Sequence, residues 1–201
     1  MKTNVEYDFL SKLLDVIEHH ILPLTEASVK LGNKVFGAAI LKKSDFSLIT
    51  VETNNEIKNP LLHGEVNCLN KFFERSNNDK AYNTRDLIFL STHEPCSMCL
   101  SAITWSGFDN IYYFFDYEDS RDNFKIPHDL KILEEVFKIK NGKYNKHNSF
   151  WHSTSIISLV LKLSMHKKKI LLERVSKIKV EYQKISENYQ LNKSNNNIPL
   201  R

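Results

Sequence analysis

Two short stretches far apart in the chain, His63-Gly64-Glu65 and Pro95-Cys96-Ser97-Met98-Cys99, are worth most if the fold brings them together. A C-x-x-C alone is more often half of a structural site or a redox pair, and a lone His-x-Glu carries little information. Combined, they offer one imidazole and two thiolates, a set suited to zinc, plus a carboxylate that no ligand count requires. A closed structural zinc site takes four protein ligands. Three ligands leave a position for water or substrate, which is the form of a catalytic centre.

The spacing suits that use. Cys96 and Cys99 are three residues apart, so on a helix both sulfurs share one face and can grip one ion. Pro95 suits a helix start, where a backbone N–H has no intrahelical partner anyway, and places both cysteines in the first turn. There the unpaired N–H groups favour thiolate over thiol. His63 also sits at a helix start, so two helix N-termini are expected to converge. Glu65, two residues from His63, is placed to act as general acid and base without binding the metal. The competing reading is a structural clip with His93 or Cys68 as fourth ligand. Cys68 reads better as a small buried hydrophobe, and His93 as a packing or surface residue. His19, His20, His128, His147, His152 and His166 read as structural.

Hydrophobic periodicity supplies the frame. Phe9, Leu10, Leu13, Leu14, Ile17 and Ile21 mark an amphipathic opening helix, kinked or restarted at Pro23 and ended at Gly32-Asn33. Val35–Leu41 and Ser47–Thr53 read as a hairpin across the turn Lys42–Asp45, and Asn54–Pro60 as a polar loop. A helix follows over His63–Phe73, a loop over Ser76–Lys80 and a buried strand over Asp86–Ser91. A helix from Pro95 to Ser106, stopped by Gly107, leads to a strand over Asn110–Phe115 and a helix over Pro127–Phe137. Strands alternating with helices imply an α/β sandwich whose later strands are parallel. Further on, Leu171, Val175, Ile178, Tyr182, Ile185 and Tyr189 form a narrow 4-3-4-3-4 seam among many lysines. That seam suits a long helix packed on its own domain; a dimer-forming helix or a basic face for RNA are the alternatives.

Composition sets bounds. A chain of 201 residues, 41% hydrophobic and 11% aromatic, can bury a real core. The expected division is 1–150 for the site-bearing domain and 151–201 for a helical C-terminal extension, with a disordered tail from Asn192. A formal charge of +4 is weak support for nucleic-acid binding. Three cysteines, two of them in one C-x-x-C, fit a reducing cytosol rather than a disulfide framework. The N-terminus lacks an apolar leader, and no run approaches the roughly 20 residues that span a bilayer. A cytoplasmic protein without membrane contact is expected.

With those residues in view, residues 35–115 or so resemble the cytidine deaminase superfamily, especially the branch of tRNA adenosine deaminases, bacterial guanine deaminases and fungal cytosine deaminases. The similarity is carried by Phe36-Gly37-Ala38-Ala39-Ile40, Leu62-His63-Gly64-Glu65-Val66 and Thr92-His93-Glu94-Pro95-Cys96-Ser97-Met98-Cys99-Leu100-Ser101-Ala102-Ile103. Gly64 is similar to the cytosine deaminase form, whereas Met98 is shared with purine and tRNA enzymes.

The resemblance implies a three-layer α/β/α sandwich around a mixed sheet of about five strands. It implies Zn²⁺ on His63, Cys96 and Cys99, with Glu65 shuttling protons in hydrolytic release of ammonia from a nucleobase, nucleoside or nucleotide. It further implies substrate contacts from the Gly64 backbone N–H, from Asn54 or Asn55, and from Asp119, for which a turn or cap role is the alternative. Phe150, Trp151 and Trp105 become candidate lid or stacking aromatics, with core packing as their alternative. A homodimer acting on a small molecule is expected. The other readings are an RNA-directed deaminase and a non-catalytic zinc-stabilised partner subunit, the last disfavoured because zinc binding alone would not need Glu65.

Overall fold

The structure, a computed structural model, describes residues 2–76 and 82–201; the expected loop at Ser76–Lys80 lies outside the described residues from Asn77 onward. Helix α1 (Lys2–Val16) runs through a π-helical turn, Ile17–Ile21, into α2 (Leu22–Lys30). The widened turn falls just ahead of Pro23, whose missing N–H cannot continue the regular ladder. Gly32, at φ +100°, then ends the helix.

Strands β1 (Gly37–Lys42) and β2 (Leu48–Thr53) form the expected antiparallel hairpin. Helix α3 (Gly64–Ser76) leads to β3 (Leu87–His93), α4 (Ser97–Trp105) to β4 (Asn110–Phe115), and α5 (His128–Phe137) to β5 (His152–Ser155). The sheet order is β2-β1-β3-β4-β5, with β3, β4 and β5 mutually parallel and β1 antiparallel to both neighbours. The expected mixed five-stranded sheet is thus present.

Alternation along the strands divides the core into two apolar layers. Ala38, Ile40, Leu87 and Phe89 face Cys68, Leu69 and Phe72 of α3 and Leu100 and Ile103 of α4. Ala39, Leu41, Ile88 and Leu90 face α1, α2 and the long C-terminal helix α7 (Met165–Asn192). This is the three-layer sandwich. All six residues of the 4-3-4-3-4 seam are buried in the second layer, so α7 packs on its own domain. Arg174 ties it to Asp15 of α1 and to Glu18 of the π-helical turn, each at 2.6 Å.

Residues 151–201 depart from the expected extension in two ways. β5 and the short helix α6 (Ile156–Leu161) come first, and β5 completes the sheet by pairing with β4. Its four residues, His-Ser-Thr-Ser, are too short and polar to show a strand pattern. The tail is also anchored: Ile198 is buried, and Asn196 Nδ2 donates to the Gly32 carbonyl at 2.8 Å. Among the described residues no helix is long and apolar enough to cross a membrane.

Candidate active site

The carboxyl ends of β2 and β3 open onto the start of α3 and α4, the usual position for a site in a sheet of this type. His63 stands just ahead of α3, its carbonyl accepting from Asn67 N–H at 2.8 Å. Cys96 is the N-cap of α4, extended at φ −64° and ψ 170°, and Cys99 is the third helical residue. Cys96 therefore sits outside the first turn expected to hold both cysteines, because its extended backbone still belongs to the strand-to-helix turn. The three residues nonetheless converge. His63 Nδ1 lies 3.6 Å from Cys96 Sγ, the two sulfurs are 3.5 Å apart, and one ligand atom from each residue falls within 4.8 Å of the others. An imidazole nitrogen and two sulfurs so clustered fit a zinc ion.

Electrostatics follow from this crowding. Cys99, His63 and the backbone pull the Cys96 thiol well below its ordinary value, overriding its burial. Burial beside that thiolate pushes Cys99 well above it. Burial alone would make His63 less basic, but the Cys96 sulfur and the Glu56 carboxylate outweigh it and raise His63 to about 11.

Glu65 lies in the first turn of α3 and is buried. Its Oε2 is 3.4 Å from Cys99 Sγ, and its Oε1 accepts from Ser91 Oγ at 3.0 Å. Burial first, and the Cys96 thiolate second, push its carboxyl above the usual range. Ser91 has a second acceptor, the His93 carbonyl at 2.6 Å, so its one proton can turn either way.

The remaining expected contacts divide. Gly64 is packed against β1: a Cβ there would stand 2.7 Å from Gly37 Cα and 2.8 Å from the Phe36 carbonyl. Its glycine is thus accounted for by backbone packing, without reference to substrate. Asn54 is fully buried, and its Oδ1 accepts from Glu56 N–H while Nδ2 has no partner among the described residues, leaving a spare donor. Asn55 instead shapes the loop, its N–H donating to the Leu62 carbonyl. Asp119 is not brought to the site. It begins a π-helical turn, accepts from Asn123 Nδ2 at 2.7 Å and faces Lys179 of α7 at 3.8 Å.

His93 and Cys68 stand apart from the ligand cluster. His93 is buried among Phe36, Phe115, Phe124 and Tyr182, and burial lowers its pKa to about 3. Cys68 lies in the α3 core layer. Of the aromatic candidates only Trp151 packs inside, its Nε1 donating to Thr104 Oγ1 at 2.7 Å. Trp105 and Phe150 are 92% and 63% exposed, so core packing fails for both. None of the three lines the cavity at the site.

That cavity, about 310 Å³, is walled by Phe36, Leu61, His63, Cys96 and Met98, and by three groups without a sequence motif. The first is the ion pair of Lys34 and Glu56. The second is the start of α5, where His128 and Asp129 face inward; burial, with Cys96 adding to it, pushes Asp129 up to about 8. The third is the tail, through Pro199 and Leu200. Nothing in the local sequence marks these residues, because chain segments far apart bring them there. A larger hollow of about 810 Å³ lies at the opposite end of the sheet, between α1 and the first residues of β3, β4 and β5, away from the thiols and Glu65.

The chain is similar to several known proteins. The "Guanine deaminase" of Bacillus subtilis (strain 168) is 33% identical over 89 residues, 43% of this chain and 54% of that protein, so the match spans about half the relative's length. The solved guanine deaminase of Bacillus subtilis is 25% identical over 77% of this chain and 88% of its own, with a TM-score of 0.49. A guanine deaminase structure from Nitrosomonas europaea is 18% identical over 78% and 81% of the two chains, with a TM-score of 0.47. Residues 13–115, half of the chain and including His63, Glu65, Cys96 and Cys99, match the family described as "Cytidine and deoxycytidylate deaminase zinc-binding region", and the chain belongs to that family.

Proposed function

We propose that the protein is a zinc-dependent hydrolase that releases ammonia from a free nucleobase, with guanine the first candidate. The observation that carries this reading is the juxtaposition of the His63, Cys96 and Cys99 ligand atoms with a buried carboxylate, Glu65, that the ligand set leaves spare. The named relative favours guanine, and a cavity of about 310 Å³ has room for one ring system.

His63, Cys96 and Cys99 would hold the ion. Zinc bound there would supply acidification of a water. Glu65, already pushed towards basicity by burial, takes one proton from the attacking water and delivers it to a ring nitrogen, then takes the second from the hydroxyl added to the ring carbon and delivers it to the departing amine. Ser91 supports both states of Glu65. It donates to the carboxylate, and it can turn its proton to the His93 carbonyl while accepting from the protonated acid. Asn54 Nδ2, a buried donor without a partner, would pair with a ring acceptor. The net change adds water oxygen to the ring carbon, breaks the exocyclic C–N bond and releases ammonia.

The test is ammonia release from cytosine, adenine, guanine, their nucleosides and nucleotides, and bulk tRNA, with zinc-loaded protein. Turnover of a free base, guanine above the rest, is expected. Release from tRNA alone would move the substrate to RNA, and no release from any would leave the zinc-stabilised partner subunit. The homodimer expected from the resemblance belongs to this proposal, and its molar mass in solution tests it.

A further inference from the structure

His63 needs one nitrogen free for the metal, so in its neutral form the ring proton must sit on the other. Nδ1 is the nitrogen turned to Cys96, at 3.6 Å. Nε2 points the opposite way, and Glu56 Oε1 stands 3.5 Å from it. The same oxygen receives Lys34 Nζ at 2.9 Å, and both side chains of that ion pair are nearly sealed from water, at 4% and 3% exposure. Glu56 Oε2 has no partner among the described residues, so the position of the carboxylate is set through Oε1 alone.

The loop that carries Glu56 is fixed from both sides. Glu56 N–H donates to Asn54 Oδ1 at 3.2 Å, Ile57 N–H donates to Asn33 Oδ1 at 2.9 Å, and Asn55 N–H donates to the Leu62 carbonyl next to His63. Asn33 and Lys34, adjacent in sequence, thus hold the backbone and the carboxylate of one loop. A buried ion pair is costly to desolvate and is often replaceable by apolar side chains, so stability alone is a poor reason for this one.

From this geometry we infer that Glu56 is a positioning residue for the zinc centre: it receives the Nε2–H of His63, holds the ring with Nδ1 towards the metal, and is itself held by Lys34. The inference rests on the zinc reading above. It predicts that the Lys34–Glu56 pair acts on metal affinity rather than on the fold, as ligand-orienting carboxylates do elsewhere.

The experiment titrates zinc into the metal-free protein against a chromophoric chelator, for the parent, Glu56→Gln, Glu56→Leu and the double variant Lys34→Met/Glu56→Leu. The double variant removes the ion pair whole, leaves neither of its charges without a partner, and is expected to melt close to the metal-free parent. Zinc binding should weaken about 10- to 100-fold in Glu56→Leu and in the double variant. Glu56→Gln, which keeps an oxygen for Nε2–H, should lie between them and the parent. With Co²⁺ in place of zinc, the visible absorption of the double variant should shift from that of the parent, a readout that a purely structural pair would leave unmoved. Parent-like zinc affinity in a folded double variant would overturn the inference and leave the zinc reading standing. A parent that takes up no zinc would overturn both.

Discussion

At Gly64 the question of what one side chain decides becomes measurable. A substrate signature and a packing constraint predict different things for this residue, and the 2.7 Å approach of its missing Cβ to Gly37 Cα favours packing. Gly64→Ala should therefore lower stability by about 1–3 kcal/mol, because the obstruction is backbone and cannot rotate away. Chemical denaturation of the metal-free protein checks this; an unchanged midpoint would restore the substrate explanation. The cluster of His63, Cys96 and Cys99 and the placing of Glu65 beside it were legible in the sequence because each of these residues belongs to a short motif. Lys34, Glu56, His128 and Asp129 were not. They meet His63 and Cys96 only through tertiary folding, and His128 read as structural although it lines the cavity.

Helices and strands were legible in proportion to their length and periodicity. The hairpin, α3, β3, α4, β4 and α5 follow the apolar pattern, whereas β5 is four polar-leaning residues stabilised by pairing with β4. The seam of α7 revealed a helix without its partner, since a heptad-like stripe serves a second chain or a domain's own core equally well. Burial of the seam in the layer behind the sheet gives a test: Ile178→Ala should cost about 2–5 kcal/mol in global unfolding, as for a core residue. A loss confined to local fraying of α7 would instead mark it as an appendage.

His93, wedged where β3 meets α7, makes the same junction sensitive to acid. Folded His93 titrates near pH 3, against an ordinary value of 6.5. The unfolded chain therefore binds the extra proton first. His93 costs nothing above pH 6.5 and destabilises the fold progressively as pH falls from there towards 3. His93→Phe should remove a slope of up to about 1.4 kcal/mol per pH unit from the acid limb. An acid limb identical to the parent's would show that His93 is not held neutral.

At the scale of the whole molecule, three layers exist to bring two helix starts and a strand end to one point. Family membership follows from residues 13–115, yet the cavity is finished by parts outside that stretch, α5 and Pro199-Leu200. This is why the proposed reaction could be read from the motif while the substrate could not: the motif carries the atoms proposed to react, and the cavity wall that would select a base is assembled from segments without a motif.

The central claim, that Glu65 moves protons at a zinc centre built by His63, Cys96 and Cys99, is tested most directly by one comparison. Parent and Glu65→Gln, brought to the same zinc content, are assayed for ammonia release from guanine. The parent should turn over, and the variant should keep about one zinc per chain while losing roughly 10²- to 10⁴-fold in rate, the usual contribution of a general acid–base group. A zinc-loaded Glu65→Gln that releases ammonia as fast as the parent would contradict that claim.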